Sequence, residues 1–189
     1  GGNNKHLIPP TQVDHVFFDA NSFSGAGQTV TLDINGICAN MDWLSSLFNP
    51  TFSGAADNLN IHGSLTLSPN MNITWQGDWF LKGDTEIETV DLKGKILKNL
   101  IFDANQSTGG YNILQPLTIT DSIIIRDGII TTNGQAISTG AFIINSANTK
   151  TLNLGSSVIT INEGKWDVQD NSAIILNAGT STIDLKSNA

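Results

Sequence analysis

Short runs of β-branched and large apolar residues alternate with Thr, Asn or Ser along most of the chain, and Gly, Asn or Asp cuts off each run. Alternation with a period of two predicts strands, here of about three to five residues. Leu59-Asn-Ile-His-Gly-Ser-Leu-Thr-Leu67, Asn72-Ile-Thr-Trp75, Leu117-Thr-Ile-Thr120, Ala141-Phe-Ile-Ile144 and Val158-Ile-Thr-Ile161 carry the pattern. The breaks at residues such as Gly63, Gly128, Gly134 and Gly155 predict sharp corners, because Gly, Asn and Asp tolerate the left-handed backbone. One segment departs from this rhythm. Within Met41 to Phe48, Leu44 and Phe48 have the spacing of one helical face, which predicts a helical turn ended by Pro50.

Many short strands with glycine punctuation suit either an antiparallel β-sandwich or a parallel β-solenoid. Sandwich strands recur with hairpin signals, whereas here one strand follows another after a single corner, as from Leu117 to Thr132. The pattern therefore predicts an all-β, right-handed parallel β-helix with about 20–25 residues per coil. Stacked coils would place Ile on Ile and Asn on Asn, which explains why both classes dominate. Residues 13–189 read as a single solenoid domain, a fragment of a longer chain, with an irregular cap or insertion at 41–56. Residues 1–12 read as an extension or tag remnant. Val16-Phe-Phe-Asp-Ala-Asn21 returns as Leu100-Ile-Phe-Asp-Ala-Asn105, with Phe18 and Phe102 separated by 84 positions. Division into coils of roughly 21 residues makes the two copies one corner revisited.

Charge narrows the function classes. Lys and Arg total 9 against 17 Asp and Glu, a formal net charge of −8, and Arg126 is the only arginine. Nucleic-acid binding needs clustered Lys and Arg and is excluded on this ground. Cys38 is the sole cysteine, so no intrachain disulfide forms, and its apolar setting marks a buried, inert thiol. No apolar run reaches the roughly 18 residues of a membrane span.

The phrases VFFDANSFSGAGQTVTLD (16–33), CANMDW (38–43), NPTFSG (49–54) and LNIHGSLTL (59–67) resemble a region recurring in large secreted surface proteins of Bacteroidetes. LTITDSIIIRDGIITTNG (117–134), TKTLNLGSSVITI (149–161) and LNAGTSTIDL (176–185) extend the resemblance over nearly the whole chain. Such proteins are exported by the type IX system and include adhesins of surface attachment and gliding. The resemblance implies an extracellular, cell-surface stalk or binding module with a glycan or surface as partner, and it transfers no catalytic residues.

Parallel β-helices also host polysaccharide lyases and hydrolases, so carbohydrate binding or cleavage is the alternative. Cleavage needs paired carboxylates, or a basic residue beside them. Arg126 with Asp127, and the Lys93, Lys95 and Lys98 cluster, are the only such groupings. Each also reads as a solvated corner. Trp75 and Trp79 are the candidate ligand residues, an exposed platform for stacking sugar rings. Alternation places Trp75 on the face of Ile73, which favours core packing instead. No cofactor is indicated. Asp19 with Asn21, and Asp103 with Asn105 and Ser107, begin like calcium loops, leaving an irregular Ca2+ site as the alternative to a stacked turn. The required Gly and Glu are absent, with Ser24 and Val30, or Thr108 and Leu114, in their places. Thr29-Val-Thr31, Thr118-Ile-Thr120 and Thr180-Ser-Thr182 raise ice binding as a third reading.

Overall fold

The computed structural model describes residues 8–104, 108–169 and 173–186. Asn105 and Ser107 of the second calcium-like loop lie outside the described residues. Every strand pairing among the described residues is parallel, which excludes the sandwich, and the chain winds as a β-solenoid of about seven turns.

Each coil contributes one strand to each of three faces. Val16–Phe17, Met41–Asp42, Leu65–Thr66, Ile87–Asp91, Gly110–Ile113, Lys150–Asn153 and Ile174–Asn177 belong to the first face. The second face starts with Thr29–Leu32, Thr51–Gly54 and Asn72–Ile73. Gly36–Cys38, Asn58–Ile61 and Asp78–Leu81 start the third. Further along, corners tighten until the strand Leu117–Thr131 runs through the second and third faces and onto the first face of the next coil. Corner length varies freely because only the strands are locked in register. On the first face Val16, Met41, Leu65, Val90 and Ile113 stack at intervals of 25, 24, 25 and 23 residues. Tyr111, Ile130, Leu152 and Leu176 continue at 19, 22 and 24.

Three sequence expectations fail here. The segment 41–56 is neither a cap nor an insertion, since Met41 pairs with Leu65 and Thr51 with Asn72 as in any other coil. No helical turn forms: the Asp42 carboxylate accepts the Leu44 amide at 2.8 Å, bending the chain away from helical geometry. Phe48 and Asn49 then adopt left-handed backbone, with φ of 65° and 48°. The doubled Phe-Asp-Ala-Asn is also not one corner. The Phe18 amide donates to the Asp42 carbonyl at the end of the first face, whereas Phe102 pairs with Leu81 and Ile125 on the third. Both copies place an aromatic against the core and an Asp at the bend, at different corners.

One core runs along the axis. Leu59, Trp79, Leu100, Ile123 and Phe142 stack inward in register on the third face and are buried. Burial of each such side chain contributes about 1.5–3 kcal/mol. Outside, the first face bears a polar ladder: the Ser64 amide donates to Asn40 Oδ1 at 2.7 Å, and Asn177 Nδ2 to Asn153 Oδ1 at 2.7 Å. Lys150 is 0% exposed, and its ammonium donates to the carbonyls of Ser146 and Asn148. A buried cation thus holds the 146–150 corner shut.

Cys38 points inward at 1% exposure, and burial pushes its thiol up to about 12. The neutral thiol's contribution to stability is complete below the unfolded value near 9.0 and is lost as the pH rises toward about 12. Native protein is expected to react with an aromatic disulfide reagent on the order of 100-fold more slowly than denatured protein. Equal rates would show that Cys38 is accessible.

Candidate functional site

The sugar platform expected from Trp75 and Trp79 does not exist. Trp75 is 2% exposed and Trp79 0%, their ring centroids 5.2 Å apart at 65° and both packed on Phe52 at 5.5 Å. Alternation along Asp78–Leu81 is the physical reason: with Trp79 and Leu81 turned inward, Phe80 faces out. Trp75 Nε1 donates to the Ala56 carbonyl at 2.8 Å, which fixes this indole beneath a corner.

Phe80 instead heads an outward row on the third face. It pairs with Ile101, which pairs with Ile124, and Ile124 with Ile143. On one side runs a polar row, where Asn99 Nδ2 donates to Asp78 at 2.8 Å and the Ser122 amide donates to Asn99 Oδ1 at 3.1 Å. The other side is charged. Lys82 Nζ lies 2.5 Å from Asp103, and an Arg126 guanidinium nitrogen approaches the same carboxylate at 3.8 Å. Lys82 and Arg126 each sit 5.4 Å from the Phe80 ring centroid. Such contacts contribute about 0.5–1 kcal/mol at exposed sites.

A β-bulge lies at the charged edge. Phe102 pairs with Ile125, but Asp103 pairs with Asp127, so Arg126 is the extra residue between them. The bulge separates two residues that sequence reading joins as a charge pair. Arg126 is 38% exposed on its side chain, whereas Asp127 is 8% exposed and accepts the Gly128 amide at 2.7 Å. Burial raises the Asp127 carboxyl above the usual range; the Gly128 bond opposes this, the Asp103 charge adds to it, and the Lys150 charge opposes it.

The remaining candidates are engaged locally. Asp19 Oδ1 accepts the Asn21 amide at 2.9 Å and the Ser22 hydroxyl at 3.0 Å, which hold its carboxyl below the usual range. These are the bonds of a local turn closed by its own Asp side chain. Asp103 is committed to Lys82. The lysine cluster does not converge: Lys93 pairs with Asp91 at 2.6 Å, while Lys98 lines an open groove with Asp57, Asp78 and Trp75. The Thr pairs do not form continuous rows: Thr29 aligns with Thr51 and Thr118 with Ser138, but Asn72 and Ile96 interrupt them, and Thr182 aligns with Val158. Comparison of the chain with protein-family models, with curated proteins and with solved structures gives no match.

Proposed function

We propose that this chain is a non-catalytic module of a bacterial cell-surface or secreted adhesin, working as a stalk and display surface for attachment. The observation that carries this reading is where the charged groups are used. Lys82 with Asp103, Lys93 with Asp91, and Lys150 with its corner carbonyls each stabilise a joint between strands or a corner. What repeats along the axis is a stack of flat outward faces on one continuous core, an architecture that extends and presents rather than encloses. The sequence resemblance to secreted Bacteroidetes surface proteins supports the extracellular setting.

Carbohydrate binding is the second reading, and the outward Phe80 among hydrogen-bonding side chains favours it over cleavage. A glycan array probed with the labelled chain, followed by incubation of each bound glycan with it, tests both. Saturable binding without shortening of the glycan is the expected result. Accumulation of new reducing ends or unsaturated products would make the protein an enzyme and defeat the adhesin reading.

A further inference from the structure

Building on the attachment reading, on which it rests, we infer that Arg126, Phe80 and Lys82 form a subsite for an oxyanion, a carboxylate or sulfate, borne by a polysaccharide lying on the third face. The inference starts from the bulge. Alternation from Ile123 turns Arg126 outward, and the bulge leaves it without a paired residue on the preceding strand. It is the chain's only arginine. Phe80 and Ile124 are two coils apart in register, so the Arg126 side chain crosses the intervening coil to bring its guanidinium over the Phe80 ring.

That guanidinium is positioned but not spent. It makes no hydrogen bond to another described residue, and 3.8 Å to Asp103 is beyond hydrogen-bond distance. Its planar fork therefore keeps its donors for an acceptor with two oxygens, which is the geometry of a carboxylate or sulfate edge. Asp103 does not compete strongly, because its close partner is Lys82 at 2.5 Å. Two cations against one carboxylate give this strip a positive excess on a chain of net charge −8. Asp127 next door is turned into the protein, and Asp78 lies across the apolar row, bonded to Asn99.

The rest of the face suits a sugar. Ile124 and Ile143 give an apolar strip for the carbon–hydrogen face of a pyranose beside the Arg126 guanidinium, which lies over Phe80, and Asn99 and Ser122 border it with amide and hydroxyl groups. A neutral polymer would use the strip alone. An acidic one also gains the arginine fork.

The test is calorimetric titration of the folded chain with polygalacturonate, with a sulfated galactan and with a neutral galactan. Binding of at least one anionic polymer, and weaker or no binding of the neutral one, is expected. Arg126→Gln and Arg126→Lys should each weaken the anionic interaction about tenfold or more, since lysine keeps the charge but loses the fork. Asp103→Asn should strengthen it several-fold by releasing Lys82 from its ion pair and leaving both cations unopposed, whereas a purely structural ion pair predicts no gain. Circular dichroism confirms that each variant folds. Preference between polygalacturonate and the sulfated polymer identifies the oxyanion. Anionic binding indifferent to both Arg126 variants, or neutral binding as tight as anionic, overturns this subsite and leaves the attachment reading standing. No binding to any of the three polymers also overturns the subsite and leaves the stalk role standing.

Discussion

Trp79→Ala is expected to lower the free energy of unfolding by about 3–5 kcal/mol, the range for large aromatics removed from a packed core. Trp79 is 0% exposed and packs on Phe52 and Trp75, and its stack partners Leu59 and Leu100 come from the coils on either side. Truncation leaves a void flanked by strands that parallel pairing fixes in place, so little collapse can relieve it. A second comparison isolates the polar term. Trp79 Nε1 has no hydrogen-bond partner among the described residues, whereas Trp75 Nε1 donates to Ala56. Trp75→Phe should therefore cost about 1 kcal/mol more than Trp79→Phe, because only the former removes an existing hydrogen bond, that to the half-buried Ala56 carbonyl. Urea unfolding followed by circular dichroism measures all three. A Trp79→Ala protein as stable as the parent, but unable to bind a glycan, would restore the surface-platform reading and contradict the burial.

What could be read from the chain was decided by how local the governing physics is. Alternation and turn residues are local, so the strand starts at Leu117 and Val158 and the parallel winding were legible, but the expected strands of three to five residues run on unbroken as Leu117–Thr131 and Val158–Val168. Phe80 was within reach too: once Trp79 and Leu81 are set inward, strand geometry turns Phe80 out, but the Trp side chains drew the assignment to themselves. Helical spacing at Leu44 and Phe48 misled because two exposed side chains on a corner can share that spacing without sharing a face. The displaced Phe-Asp-Ala-Asn shows a deeper limit. Coils of 19 to 25 residues make an 84-residue offset commensurate with a mean period but not with the actual register. Arg126 faces out by the same local alternation, but its reach to Phe80 two coils away was not legible, since that contact depends on the register of the neighbouring strands.

Register also sets where the solenoid is least forgiving. Gly110→Ala is expected to destabilise the protein by at least about 3 kcal/mol, at the severe end of overpacking. Gly110 pairs with Ile87 on one side and Ile129 on the other, and a Cβ built there would lie 2.0 Å from the Ile129 carbonyl oxygen and 2.8 Å from its nitrogen. The obstacle is backbone, so no rotamer change can clear it. Separating these coils would also pull Tyr111, whose buried hydroxyl accepts the Gly83 amide at 2.8 Å and lies within hydrogen-bond distance of the Gly63 carbonyl at 3.2 Å. Two controls separate space from conformation. Gly25→Ala meets nothing within 4 Å and should change stability by less than about 0.5 kcal/mol. Gly94→Ala is equally unhindered but sits at φ +76°, and should cost about 1 kcal/mol from strain alone. Because strand pairing joins each coil only to its neighbours, hydrogen exchange in Gly110→Ala should accelerate first around 87–91, 110–113 and 129–131, with distant coils following only through weakened interfaces. Equal stability of Gly110→Ala and Gly25→Ala would show that the coils can separate at this joint without penalty, and would remove the argument that inter-coil spacing at Gly110 is fixed.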